Sequence, residues 1–96
     1  MQVGMCKVRL HLPENQSLKE KRRILKSIIT RAKNSYSVSI SEVEDQDSWQ
    51  LATLGITYAT NSKPQANEVL SKVVEFIRSS RFEVEIIDVE MEIVSF

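Results

Sequence analysis

Twice along this chain the apolar residues change their spacing, from every second position to every third or fourth and back again. A period of two suits a strand with one buried face, and a period near 3.6 suits a helix with one buried stripe. Cys6, Val8, Leu10 and Leu12 alternate with Lys7, Arg9 and His11, which predicts a half-buried strand over residues 2–12 that Pro13 and Asn15 end. Ser17-Leu18-Lys19-Glu20 then reads as a capping box, with Ser17 covering an orphan N–H and Glu20 reaching back to the cap. Leu18, Leu25, Ile28, Ile29 and Ala32 follow at helical spacing to about Lys33, and Asn34 and Ser35 stop the helix.

Alternation returns with Tyr36, Val38 and Ile40 against Ser37, Ser39 and Ser41. After the polar turn Asp45-Gln46-Asp47-Ser48, Ala52, Leu54, Ile56 and Tyr58 oppose Trp49, Leu51, Thr53, Gly55 and Thr57, so the two runs form a hairpin. Ser62 and Pro64 open a second helix, with a stripe of Ala66, Val69, Leu70, Val73, Phe76 and Ile77 that ends near Ser79-Ser80. A last strand starts with Phe82, Val84 and Ile86 on one face and Glu83 and Glu85 on the other. At Ile86-Ile87 the parity flips, and Ile87, Val89, Met91 and Ile93 alternate with Asp88, Glu90 and Glu92.

The order is βαββαβ. Each helix has a single stripe to bury, so both must cover one face of a four-stranded antiparallel sheet. That is a ferredoxin-like α+β sandwich, a single domain over residues 1–96, with expected strand order 4-1-3-2 and an open second sheet face.

Charge separates along the chain. Residues 1–33 hold nine Lys/Arg and two Asp/Glu, whereas residues 34–96 hold four and eleven, so the formal net charge is zero. No bulk attraction to nucleic acid or membrane follows, and nothing indicates DNA specificity. Cys6 is the one cysteine, which excludes an internal disulfide and fits a reducing compartment. Lys7 and Arg9 interrupt the early apolar run, so no signal peptide and no membrane span are expected, and a cytoplasmic location is the default.

Several stretches resemble the YlxP-like family of small bacterial proteins: Val8-Arg9-Leu10-His11-Leu12-Pro13, Ser17 to Arg23, Val38 to Val43, Trp49 to Gly55 and Ile87 to Glu90. The resemblance covers essentially the whole chain. It implies a ferredoxin-like domain of unknown function whose genes often accompany those for translation and ribosome-maturation factors, and it brings no catalytic residues.

Three surfaces are candidates for function. At 100° per residue, Lys19, Arg22, Arg23, Lys26 and Lys33 share one flank of the first helix, with Lys21 and Arg31 near enough to join them. Such a flank could contact the phosphates of RNA or of the ribosome, or could be a solvated basic face. On the open sheet face, Lys7, Arg9, His11 and Trp49 could meet a small molecule or protein, although Lys7–Glu85 and Arg9–Glu83 pairs would account for that row without a ligand. Val3, Met5, Ile87, Val89 and Met91 are expected to form an apolar patch at the other end of that face, buried in a two-fold homodimer.

No enzyme is expected, because no nucleophile–base pair can be placed. No cofactor is implied. His11 has no partner imidazole for a metal, and Cys6 falls on the core face, where a thiol is inert. The acidic run Glu42, Glu44, Asp45, Asp47 lacks the ligand count of a calcium loop and reads as a solvated hairpin tip.

Overall fold

A computed structural model describes all residues, 1–96. The chain runs β1 (Gln2–His11), α1 (Leu18–Tyr36), β2 (Ser39–Glu44), β3 (Leu51–Thr60), α2 (Lys63–Arg78) and β4 (Glu85–Ser95). The strands form one sheet in the order β2-β3-β1-β4, the expected topology, with every neighbouring pair antiparallel. Both helices cover one face: α2 lies over β1 and β3, and α1 leans toward β2.

The core lies between the layers. Val8, Leu10, Ala52, Leu54 and Ile56 from the central strands are fully or nearly fully buried against Leu25, Ile28, Leu70, Val73 and Ile77 of the helices. Gly4 faces the same way. A Cβ there would stand 2.8 Å from Leu70 Cδ1, so the missing side chain is what lets α2 approach β1. Burial pushes the Cys6 thiol from 9.0 up to about 11.

The sign of that shift gives a pH prediction. Between pH 9.0 and about 11 the unfolded chain releases a thiol proton that the folded chain keeps, so stability falls as pH rises through this window. Melting curves of wild type and Cys6→Ala across it should diverge, with the variant losing less. Parallel curves would show that Cys6 does not contribute. Alkylation by iodoacetamide near neutral pH should likewise wait for unfolding.

Local chemistry moved several boundaries. The first helix runs through Asn34 and Ser35 to Tyr36, instead of stopping there, because the Tyr36 ring packs edge-on against Phe76 with centroids 5.7 Å apart. Ser37, in the left-handed conformation at φ 53°, ends the helix and donates its backbone N–H to Lys33 O. Half of the capping box forms: Ser17 Oγ accepts from Glu20 N at 3.1 Å, but the Glu20 carboxylate turns forward to Arg23 instead of back to the cap. The Arg23 guanidinium holds the Glu20 carboxyl below its usual range. β3 starts at Leu51, so Trp49 belongs to the preceding loop. β4 starts at Glu85, although Phe82 and Val84 still pack against the core.

Candidate functional site

The parity flip in the last strand is a β-bulge. Arg9 pairs with Asp88 and Leu10 with Ile86, leaving Ile87 as the extra residue. Its effect is the opposite of turning the apolar residues outward. Val89 pairs with Val8, Met91 with Cys6 and Ile93 with Gly4, all on the helix-facing side of the sheet. Val3 and Met5 lie on the open side opposite Val94 and Glu92. The expected patch of Val3, Met5, Val89 and Met91 is therefore divided between two faces, with Ile87 on the bulge between them. Regular pairing across the flip would have turned Val89 and Met91 outward, and the extra residue Ile87 keeps them on the helix side.

On the open face β1 contributes Lys7, Arg9 and His11, and β4 sets Glu90, Asp88 and Glu85 directly opposite them. His11 Nδ1 lies 3.4 Å from the Glu85 carboxylate. The two cations choose partners on the other side. Lys7 Nζ donates to Glu44 Oε1 at 3.1 Å, and Arg9 Nε stands 3.5 Å from Asp45 Oδ2. The expected Lys7–Glu85 and Arg9–Glu83 pairs do not form. Lys7 is opposite Gly55, which has no side chain to separate it from β2, so the lysine reaches across a whole strand. Glu44, with Glu90 and Asp88 adding to it, raises the Lys7 pKa above its ordinary value.

Gly55 also makes the floor of a groove of about 810 Å³, walled by Met5, Lys7, Ser39, Ser41, Thr57 and Glu90 among others. Val43 leans over it: a Cβ at Gly55 would stand 2.8 Å from Val43 Cγ1. Trp49 does not line the groove and, at 49% exposed, stands apart on the hairpin loop.

That loop is held by a residue assigned to the wrong surface from sequence. Lys21 is not part of the basic flank. It is fully buried, and its Nζ donates to Asp45 O at 2.7 Å, to Leu51 O at 2.8 Å and to Ser48 O, with Glu42 Oε2 2.8 Å away. A lysine has three donors on one nitrogen, which suits three converging carbonyls. The signal was present in the spacing: Leu18, Lys21, Leu25, Ile28 and Ala32 step by three and four along one stripe. Asn15, also buried, adds a second tie by donating its Nδ2 to Ser17 O at 2.9 Å and to Trp49 O. The acidic hairpin run is thus more than a solvated tip. Glu42 meets Lys21, Glu44 meets Lys7, and Asp45 accepts from Thr53 Oγ1 at 2.7 Å.

On α1, Arg23 is engaged by Glu20 and lies 5.9 Å from the centre of the Phe82 ring. Lys19, Arg22, Lys26 and Lys33 are exposed and form no ion pair. Arg31 and Arg81 border a smaller cavity of about 230 Å³ with Ser27, Ser79, Ser80 and Phe82, and Arg81 stacks on Phe82 at 4.9 Å. No helix is long and apolar enough to cross a membrane.

The family model described as "Protein of unknown function (DUF503)" matches residues 3–91. The chain belongs to this family. It is 40% identical over 77 residues to the uncharacterized protein YlxP of Bacillus subtilis (strain 168), a match spanning 80% of this chain and 84% of that one. The backbone of this DUF503 member is similar to that of the de novo designed protein Foldit4, with a TM-score of 0.56 at 16% identity over 100% of this chain and 99% of the other. It is also similar to the de novo designed protein LFR1 1 with ferredoxin fold, with a TM-score of 0.54 at 13% identity over 100% and 88% of the two chains. An amidase of the hydantoinase/carbamoylase family from Burkholderia phymatum gives a TM-score of 0.56 at 9% identity, covering 99% of this chain and 28% of the amidase. At such identities the likeness is one of fold, and the fold hosts many functions.

Proposed function

We propose that this protein is a non-catalytic binding module that contacts structured RNA through the outer surface of α1. One contrast carries the reading. The cations of β1 are neutralised within the fold by Glu44 and Asp45, whereas Lys19, Arg22, Lys26 and Lys33 have no acidic partner. Charge left uncompensated on one helical flank is what a phosphate backbone would use, through counterion release. Base stacking on the sheet is disfavoured, since no Phe, Tyr or Trp of the four strands stands on the open face and its imidazole, His11, lies beside the Glu85 carboxylate. A ribosomal site is one form such an RNA could take.

Binding to a structured RNA should weaken steeply with salt, with a log–log slope of roughly −3 if four phosphates are neutralised. A gel-shift or anisotropy titration measures it. The variant Arg22→Glu/Lys26→Glu/Lys33→Glu should lose binding, and Lys7→Gln/Arg9→Gln should retain it. Equal binding by both variants, or none at low salt, overturns the proposal.

The groove beside Gly55 favours a second reading, in which a small molecule, a protein or a second copy meets the open face near Lys7, Arg9 and His11. The charges of that row are already paired, so a ligand would have to displace Glu44 or Asp45. A ligand whose affinity rises in Glu44→Gln would support it over the α1 reading.

A further inference from the structure

β4 is an edge strand, with β1 on one side and no strand on the other. Its eleven residues include no proline, lysine or arginine, the residues that commonly blunt an exposed edge. The bulge at Ile87 is confined to one end, and the rest of the strand pairs regularly with β1. That regular part has two unlike faces. On the helix side Val89 and Met91 are each 37% exposed beyond the cover of α2. On the open side Asp88, Glu90 and Glu92 are all exposed.

We propose that the free edge of β4 accepts an extended segment of another protein, in which Lys or Arg alternates with Val, Ile or Leu. Main-chain hydrogen bonds to an edge strand supply affinity, and alternate side chains supply specificity. In such a segment the apolar positions cover Val89 and Met91, while the basic positions stand beside Asp88, Glu90 and Glu92. The carboxylates are available because Lys7 and Arg9 make their close contacts with Glu44 and Asp45. A second copy of this chain is the poorer occupant. Two-fold antiparallel pairing of β4 with itself sets both acidic rows side by side, and like charges opposed across strands are destabilising. RNA is repelled by the same row, so this surface is independent of the α1 reading.

The test uses the full chain with two synthetic peptides of equal length, one alternating Lys and Val and the other Glu and Val. The Lys peptide should bind at least about tenfold more tightly and shift the backbone amide resonances of residues 88–95. The preference should shrink in Glu90→Gln/Glu92→Gln and reverse in Asp88→Lys/Glu90→Lys/Glu92→Lys, with melting curves establishing that each variant is folded. Equal binding of the two peptides, amide shifts confined to other strands, or sedimentation showing a dimer joined through β4 overturns the proposal.

Discussion

Replacing Lys21 by Met is expected to destabilise the protein by about 3 kcal/mol, out of a total of about 5–15 kcal/mol for a domain of this kind. The substitution removes a fully buried ammonium group from three backbone carbonyls and the Glu42 carboxylate. Glu42 keeps some exposure and can turn to water, which holds the cost at the lower end of the range for a broken buried pair. The partly buried carbonyls of Asp45, Ser48 and Leu51 each lose a charged donor, although Asp45 O keeps the Ser48 N–H, and these lost charge-assisted bonds add to the cost. At 96 residues the melting temperature should drop by roughly 12–24 °C. Lys21→Arg should also fail, since a planar guanidinium spreads its donors over three nitrogens. Lys19→Met, two residues away on the exposed surface, should change stability by less than about 0.5 kcal/mol. Urea unfolding distinguishes these cases, and a Lys21→Met protein as stable as wild type would mean that the hairpin does not depend on this tie. Because the hairpin carries Glu44 and Asp45, the same variant should also release Lys7 and Arg9 from their partners.

Leu70→Ala should cost about 3 kcal/mol, the sum of lost transfer energy and a cavity under α2. Leu70 is fully buried where the helix crosses β1. Gly4→Ala by itself should be destabilising by about 1 kcal/mol, because its new Cβ would press on Leu70 Cδ1, the movable end of a side chain. In the double variant that methyl enters the space Leu70 has left. Gly4→Ala/Leu70→Ala should therefore be more stable than Leu70→Ala, so that one substitution changes sign with the other. A double-mutant cycle by urea unfolding reads the coupling. Strict additivity would show that the two sites do not share a cavity.

These sites differ in how far they could be read beforehand. Helical stripes and strand alternation place almost every core residue on the correct face, because burial of one face is a local constraint on side-chain spacing. The exceptions are instructive. Lys21 occupies a core position in the α1 stripe, yet its charge argues for the surface, and only the converging carbonyls of a distant hairpin resolve the conflict. In the last strand the parity flip was visible, but its consequence was not. Whether Val89 and Met91 face the helices or the open side depends on where a bulge interrupts pairing with β1. The ion pairs of Lys7 and Arg9 differ from expectation because the chain pattern shows neither that Gly55 opens a path across β3 for Lys7 nor that Thr53, opposite Arg9, holds the Asp45 carboxylate within its reach.

The amino-acid sequence by itself determined the element order, the two-layer packing, the strand topology and the family, since each follows from periodicity or from similarity along the chain. It also marked the basic flank of α1, apart from Lys21. Only the tertiary structure decided which charges are neutralised. Lys7, Arg9 and Lys21 find partners more than twenty residues away, on the β2–β3 hairpin, whereas Lys19, Arg22, Lys26 and Lys33 find none. Electrostatic compensation depends on distances of a few ångströms between remote segments, and those exist only once the sheet has been assembled.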